Sequence, residues 1–500
     1  MMRRLLLCTS AALITLTAPG AAQEGYRLRA TRDPVTDALV LRPVSDPVSL
    51  RDFPISEALP LRGAAEAVVS SAPLLRGART PETMPLSQPS PADTGLPGIA
   101  SLRDAMDASL GQSYGLRAAL AESEAAKARV YKAMAAYGPT INGNFDTRRE
   151  RTLTTIGAGK DAESARVASL SVNMPLYTSG ARSNALNRAR SEAYASYAEA
   201  DAKRDDVQLQ SMDALVRFHQ TTRFIGILTQ NVRGLERLLG AVGARQSGGL
   251  ASAADAADVR AELAANRIEL QRNIEARDQA RFDVEKMTGR TVGGLPRIES
   301  FDARLASGRE AILAAANGNN PRLQAARHRA DAAEYQVAET RARYLPRVDL
   351  YGRYDYYLNE RNHGTRKPER FDFGVRLSVP LFDAALAGDV RESRERSAAM
   401  RYRAMDLNRD VSTQIRSDWT AWSGGAQRLK LARERVAALR RVVQAREARF
   451  AAGTAPIDDV LNERRRLASA EVTLVQIEGE RAQLAAKVLA NAGMLGTGLQ

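Results

Sequence analysis

The residue types that most often carry out chemistry in proteins are scarce in this chain. Its 500 residues include a single cysteine, Cys8, and three scattered histidines, His219, His328 and His363. This composition excludes a disulfide scaffold and a cysteine-based zinc or iron–sulfur site, and it argues against a histidine-rich metal site. The sequence contains no phosphate-binding loop, metal-ligand spacing or nucleophile–base pair. We therefore expect neither an enzyme nor a bound cofactor or metal.

Charged residues are the remaining side chains through which the chain could bind a partner. Lysine and arginine total 72 against 58 aspartate and glutamate residues, which gives a formal charge of +14. This balance permits an anionic partner but does not specify a fold. Two acidic side chains follow glycine-containing turns: Asp255 comes after Gly249, and Asp459 comes after Gly453. Whether these two carboxylates have a function depends on the helices and strands that position them.

The N-terminus is typical of an export signal. Residues 1–4 are basic, residues 5–17 are mostly apolar, and small residues occupy positions 20–22. This order predicts a Sec-type signal peptide over residues 1–22, with a buried first helix as the alternative. Because Cys8 precedes most of the apolar stretch, we do not expect it to carry a lipid. Export also argues against a nucleic-acid partner.

Residues 23–100 contain eleven of the twenty prolines in the chain. Proline fixes φ and removes a backbone donor, so this density excludes a long helix and most central strands. We predict an extended, partly disordered arm.

An internal repeat follows the arm. Five features of the first half reappear in the second half at an offset of 204 to 207 residues. The pairs are Leu116 with Leu323, Tyr137 with Tyr344, Leu170 with Leu377, Gly249 with Gly453, and Gly289 with Gly493. So constant an offset indicates a duplication. We predict one repeat over residues 101–290, a connector at residues 291–308 and a second repeat over residues 309–495.

Each repeat has the same predicted order: a helix, two strands, a very long helix, a short turn and a further helix. At 1.5 Å per residue the long helices are each about 100 Å, and two shorter helices laid end to end match one of them. A long helix flanked by a stacked pair is the expected packing, and a heptad from Trp422 to Phe450 supports a coiled-coil seam. The helices are expected at about residues 101–136, 180–246, 251–288, 309–343, 384–450 and 453–493.

The strands alternate between apolar and polar residues, as when Phe371 and Phe373 flank Asp372. Each is about ten residues, the length at which a tilted strand crosses a bilayer. A soluble sheet with one solvated face would show the same alternation, but charges on the polar face and tyrosines ending the third strand favour a membrane. Four strands cannot close a barrel, so if these strands lie in a membrane, several chains must share one barrel. The strands are expected near residues 141–148, 167–174, 348–356 and 371–379.

Four segments of the sequence are distinctive: Asn320-Pro321-Arg322-Leu323, residues 341–346, residues 377–383, and Gly453 followed by Asp459-Val460-Leu461 and Leu467. Through these segments, the sequence from residue 100 onwards resembles the TolC family of outer-membrane efflux proteins. The resemblance implies a mainly α fold with a transmembrane β part, the TolC-like α/β barrel. Long antiparallel coiled-coil helices and four strands per chain would assemble as a homotrimer into a 12-stranded barrel and an α-helical tunnel.

The resemblance also implies a function and partners. The channel would lie in outer-membrane lipid of a Gram-negative cell, with its helical tunnel in the periplasm. It would export drugs or secreted polypeptides delivered by a periplasmic adaptor and an inner-membrane ABC or proton-driven transporter. Two alternatives stay open: a periplasmic adaptor, and an exported coiled-coil structural protein without a pore.

The family closes its tunnel at the two helix turns. Asp459 falls on the first inward acidic position of the family, and Asn462 occupies the second without a charge. Phe450 replaces the tyrosine of the family's closing clasp, Ala455 replaces its arginine, and Asp255 retains its acidic partner. We hypothesise that three Asp459 carboxylates form a cation-selective constriction. A solvated aspartate at a helix start, favoured by the helix dipole, is the alternative.

The same turns are the expected docking end of the tunnel. Gly249, Gly453 and Arg464 are predicted to contact the adaptor, although a solvated helix face would explain Arg464 equally well.

Overall fold

The computed structural model describes residues 27–32, 39–44, 98–150, 163–249, 251–298, 300–358 and 369–495. The predicted signal peptide, residues 1–22, lies outside these ranges. The chain divides into two units, residues 1–87 and residues 88–500. In the first unit, within the predicted arm, strands β1 (Arg27–Arg32) and β2 (Leu39–Val44) pair in antiparallel fashion.

The second unit shows the same order of elements in both repeats, as the sequence predicts. Strand β3 (Ile99–Ser101) leads into the first repeat, which contains α1 (Leu102–Gln112), α2 (Tyr114–Ala135), β4 (Thr140–Glu150), β5 (Glu163–Tyr177), α3 (Ala181–Ser247) and α4 (Ala253–Thr288). The connector contains β6 (Val292–Arg297) and a 3-10 turn (Asp302–Leu305). The second repeat contains α5 (Arg309–Asn319), α6 (Pro321–Ala342), β7 (Arg347–Tyr357), β8 (Glu369–Ser378), α7 (Ala384–Ala451) and α8 (Ile457–Asn491).

The first helix of each repeat is broken in two, so the prediction of continuous helices over residues 101–136 and 309–343 is wrong. Before α2, the Ser113 hydroxyl accepts a hydrogen bond from the Leu116 N–H at 3.1 Å. Before α6, Asn320 Oδ1 accepts one from the Leu323 N–H at 2.9 Å, and Pro321 opens the helix. A capping side chain and a first-turn proline both begin a helix rather than continue one.

The helices form a layer with a definite order. The 67-residue helix α3 packs against α2 and α4, and also against α6 and α8. The 68-residue helix α7 packs against α6 and α8. Each long helix is therefore flanked by shorter helices stacked along it, as the matched lengths predict. No helix in the part of the chain that the structure describes is both long enough and apolar enough to span a bilayer.

The largest buried cluster lies where the ends of the short helices meet the middle of the long ones. Met106 of α1, Leu215 of α3 and Leu489 of α8 are fully buried there. The connector is tied to the same region, since Asp302 accepts hydrogen bonds from Trp422 Nε1 and Arg481 Nη2, each at 2.9 Å. Beside it, β3 and β6 pair in parallel, which the sequence analysis did not predict. We call this region the equator.

Candidate functional site

Strands β4, β5, β7 and β8 form one antiparallel sheet in that order. The prediction of four strands is confirmed. In the register, Leu170 of β5 lies between Gly143 of β4 and Tyr354 of β7, and Tyr354 in turn pairs with Phe371 of β8. Directly paired residues share a face of a sheet. The apolar sides predicted for the separate strands therefore combine into one continuous apolar face.

This apolar face is uncovered. Phe371 is 72% exposed, Phe373 is 68% exposed and Phe145 is 65% exposed. The opposite face carries charges, including an ion pair of 2.8 Å between Arg353 Nε and Asp355 Oδ1. Contiguous apolar surface of this extent marks contact with a membrane or with another protein. The sheet also has two outer strands, β4 and β8, each with a single partner among the strands described.

The turns after α3 and α7 lie at the other end of the long helices. Both turns contain a glycine with positive φ, Gly249 at +73° and Gly453 at +78°. Residues with a side chain rarely adopt this backbone conformation. The Gly453 N–H donates to the Phe450 carbonyl and the Thr454 N–H donates to the Arg449 carbonyl, both at 2.9 Å. Helices α3 and α4 thus form one hairpin and α7 and α8 form the other; we call the two turns the hairpin tips.

The two aspartates predicted to gate the channel have partners within the chain. Asp459 Oδ2 accepts a hydrogen bond from Arg446 Nη1 at 2.8 Å, in a pair that links α8 to α7. Asn462 lies one turn further along α8 and is exposed. Asp255 and Ser252 form a reciprocal capping box at the start of α4, with hydrogen bonds of 2.8 and 3.0 Å. A role for these residues in gating stays a prediction.

Two of the remaining predicted residues, Phe450 and Arg464, are largely buried. Phe450 is 7% exposed and packs among Val242, Ile457 and Val460 in the core of the tips. The Arg464 side chain is 14% exposed and forms an ion pair with Glu447.

The turn glycines Gly249 and Gly453, by contrast, are exposed to solvent in the single chain. A contact of these glycines with an adaptor stays a prediction, as does one by Arg464. Its neighbours Arg465 and Arg466 are more accessible, with side chains 56% and 64% exposed.

Sequence reasoning missed the residues that join the two hairpins. Arg245 of α3 donates a hydrogen bond to the Phe450 carbonyl of α7. Arg465 of α8 forms an ion pair of 3.1 Å with Glu262 of α4. The sequence places Arg245 in the last turn of a predicted helix, where the helix dipole favours a cation in any protein. It could not identify a contact with the second hairpin.

A polar cavity of about 310 Å³ lies near the equator between α3, α6, α7 and α8. Its wall includes Asp206, which is paired with Arg322, and Asp418, which is 7% exposed. Asp418 Oδ1 accepts a hydrogen bond from Gln414 at 2.8 Å. Asp205 lines the same cavity, and burial together with the nearby carboxylates of Asp201 and Asp206 raises its pKa to about 6.

We expect Asp205→Asn to stabilise the protein at pH 7.5. Because the folded-state pKa of Asp205 lies above its usual value of 3.8, the folded protein favours the protonated carboxyl. Stability from this group is present below pH 3.8 and is lost as the pH rises through about 6. Removing the charge should therefore raise the free energy of unfolding at pH 7.5 by about 1–2 kcal/mol, allowing for partial exposure.

Thermal unfolding of both proteins at pH 7.5 and at pH 4.5 measures this effect, and the gain should shrink at the lower pH. Asp258→Asn, at an exposed aspartate of α4, is the control and should leave stability unchanged at both values. An equal gain for Asp205→Asn at both pH values would contradict the assignment.

Among the residues that the structure describes, no group of three or more histidine, cysteine, aspartate or glutamate side chains is arranged to hold a metal ion.

Comparison with known proteins gives one family match. The sequence profile described as "Outer membrane efflux protein" matches residues 105–290 and 312–493. The alkaline protease secretion protein AprF of Pseudomonas aeruginosa is 31% identical over 153 residues, which cover 30% of this chain and 32% of that protein. The outer membrane efflux protein BepC of Brucella suis biovar 1 is 22% identical over 396 residues, covering 77% of this chain and 84% of BepC.

Solved structures share the fold. The outer-membrane channel OprN superposes with a TM-score of 0.70 at 18% identity, over 83% of this chain and 97% of that one. The outer membrane protein VceC from Vibrio cholerae gives the same TM-score and identity, over 78% of this chain and 96% of VceC.

Proposed function

This chain belongs to the outer membrane efflux protein family and is a TolC-like protein of the Gram-negative outer membrane with a helical part in the periplasm; on that premise we propose that three copies assemble into one export conduit. Four strands from each copy would form a 12-stranded barrel, and the helices would form a tunnel below it. The family and the fold are those of channel proteins rather than enzymes.

The uncovered apolar face and the two outer strands of the sheet carry this proposal. Unpaired backbone groups are not tolerated against hydrocarbon, so β4 and β8 both need a neighbour. The four strands alternate in direction. Hence β8 of one copy can pair in antiparallel fashion with β4 of the next, and the apolar faces of successive copies become a single lipid-facing band.

The layer of helices also supports the assembly of three copies into a closed ring. Its packing order places α2 and α4 at one side and α7 at the other. Both sides carry large apolar residues that the chain does not cover: Tyr402 and Met405 of α7 are 70% and 65% exposed, and Tyr131 of α2 is 62% exposed. A neighbouring copy that continues the sheet would continue the layer of helices too, and would cover these side chains.

We further propose that the conduit exports drugs or secreted polypeptides with a periplasmic adaptor and an inner-membrane transporter. The names of its relatives point to both cargo classes: AprF is a protease secretion protein and BepC is an efflux protein. The charged face of the sheet, with Arg353 and Asp355, would line a water-filled lumen.

Planar-bilayer recording of purified protein tests the conduit itself. We expect a heat-modifiable trimer in detergent and stepwise conductance in the bilayer. Protein that stays single-copy in detergent and gives no conductance would overturn the proposal and favour an exported coiled-coil protein without a pore. Fractionation with the inner membrane would favour a periplasmic adaptor.

The same recordings test whether three Asp459 carboxylates form a cation-selective constriction. We expect Asp459→Ala to reduce the preference for cations and the block by divalent cations, because the substitution removes negative charge at the narrow end. Asp258→Ala, at an exposed aspartate of α4, is the control. If Asp459→Ala retains wild-type selectivity and block, Asp459 acts only through its ion pair with Arg446.

A further inference from the structure

A groove of about 650 Å³ lies at the equator, between the connector and helices α3, α7 and α8. We call it the equatorial groove. Its volume is within the range of small-molecule sites, which is about 300–1,000 Å³. The groove is rich in cations, and its wall includes His219 and Arg223 of α3, Arg297 of β6, Arg433 of α7 and Arg481 of α8. Its four arginines thus come from four different elements, which only tertiary packing brings together.

Two of these arginines are neutralised within the chain. Arg481 forms an ion pair of 2.9 Å with Asp302 of the connector. Arg433 forms one of 3.2 Å with Glu478 of α8. Both acidic partners also line the groove, so these two pairs contribute no net charge to it.

The other two arginines of the groove are exposed and have no acidic partner. Neither Arg223 nor Arg297 forms a hydrogen bond or an ion pair with another residue that the structure describes. Two like charges in one groove repel each other, and an anion between them would remove that repulsion. A guanidinium also presents its N–H groups as a planar fork that matches a carboxylate or a phosphate group. The pair therefore favours a ligand with oxyanion groups.

His219 ties the two sides of the groove together. Its Nδ1 lies 3.0 Å from the Pro296 carbonyl oxygen. Because a carbonyl can only accept, Nδ1 carries a hydrogen and donates it, which leaves Nε2 as the nitrogen that gains or loses a proton. His219 lies one turn before Arg223 on α3, and Pro296 immediately precedes Arg297 on β6. This hydrogen bond therefore holds the segments that carry the two unpaired arginines.

The charges around His219 couple its protonation to an anion. Burial lowers the pKa of His219 and the nearby Arg223 lowers it further, whereas the hydrogen bond to Pro296 and the carboxylate of Glu478 raise it. The other charged residues that line the groove are Arg297, Asp302, Arg433 and Arg481. An anion beside Arg223 would offset the charge of that arginine and raise the pKa of His219. By linkage, protonation of His219 must strengthen binding of the anion.

We propose that the equatorial groove binds a ligand with two oxyanion groups, either carboxylates or phosphates, one held by Arg223 and the other by Arg297. His219 lies beside them and strengthens binding when it is protonated. The site uses residues of one chain at the equator. It involves neither the four-stranded sheet nor the hairpin tips, so the inference does not depend on the proposed export conduit.

Calorimetric titration of the purified protein with succinate and with pyrophosphate, at constant ionic strength, tests the site. We expect saturable binding of at least one of these two anions. Arg223→Gln and Arg297→Gln should each weaken that binding about tenfold, as expected from losing one charge-assisted hydrogen bond. Binding of succinate alone would identify a carboxylate ligand, and binding of pyrophosphate alone would identify a phosphate ligand.

Arg217→Gln is the matched control, because Arg217 is an exposed arginine of α3 that does not line the groove. It should retain the affinity of the wild-type protein. Absence of saturable binding by the wild-type protein for both anions would overturn the site. Affinities of Arg223→Gln and Arg297→Gln equal to that of Arg217→Gln would do the same, and a loss in only one of the two would overturn a site with two anchors.

The role of His219 has its own measurement. The wild-type protein should bind the anion more tightly at pH 6 than at pH 8, and His219→Gln should show less of this pH dependence. Because both proteins meet the same anion, titration of the anion itself cancels in the comparison. The same pH dependence in both proteins would overturn the coupling to His219.

Discussion

Replacing Leu170 by arginine is expected to remove nearly all heat-modifiable protein from the outer membrane. Leu170 lies midway along β5 on the uncovered apolar face and is 48% exposed. An arginine on the lipid face of a barrel costs about 2–4 kcal/mol near the bilayer midplane, and an assembly of three copies incurs that cost three times. Fractionation of cells, followed by gel migration with and without heating, measures the loss.

Asn173→Arg is the control on the same strand. Asn173 pairs with Thr140 and Tyr351, on the polar face of the sheet. An arginine there would meet water in the lumen, so near wild-type levels of heat-modifiable protein are expected. Equal loss in both variants would mean that β5 does not have one lipid-facing and one water-facing side.

The second large effect is expected at the equator, where Gly493→Ala should strongly destabilise the folded protein. Gly493 follows α8 with a φ of +66°, and an added Cβ would lie 2.9 Å from the Asn320 nitrogen and closer still to the Asn319 carbonyl group. Backbone atoms cannot move aside as a flexible side chain can. Strain and overlap together should cost about 3–5 kcal/mol, measured as a lower midpoint and yield in thermal unfolding.

Gly240→Ala provides the comparison for this prediction. Gly240 lies inside α3, and a Cβ atom there would meet no atom within 4 Å. Alanine has the higher helix propensity, so a gain of about 0.5–1 kcal/mol is expected. Wild-type stability in Gly493→Ala would show that α8 does not end in a left-handed turn at Gly493 against the backbone of Asn319 and Asn320.

Much of the fold could be predicted because it follows from patterns among residues that are close together in the sequence. The period of two in the strands and the long helical stretches follow from the spacing of apolar residues along a short segment. The nearly constant offset, 204 residues between Gly249 and Gly453 and 207 between Leu170 and Leu377, reveals the duplication without any knowledge of packing. The breaks at Ser113 and Asn320 had local signals too, a capping residue in each case and a proline in one, and were missed.

The candidate site was less predictable because its roles depend on partners far away in sequence. Phe450, which the resemblance predicts to replace a clasp residue, is buried among Val242, Ile457 and Val460. Asp459 is paired with Arg446, and Arg464 with Glu447. Position in a motif gives the type of side chain, whereas its neighbours decide whether that side chain faces water, another charge or the core.

The sequence by itself determined the long helices, their order, their lengths and the apolar side of each strand of the four-stranded sheet, since these depend on residues a few positions apart. Only the tertiary structure decided the strand register that joins Gly143, Leu170, Tyr354 and Phe371 in one uncovered face. It alone decided that Arg245 reaches the end of α7, 205 residues away. Contacts of that kind arise from the way whole helices and strands pack, and no periodicity within a single segment encodes them.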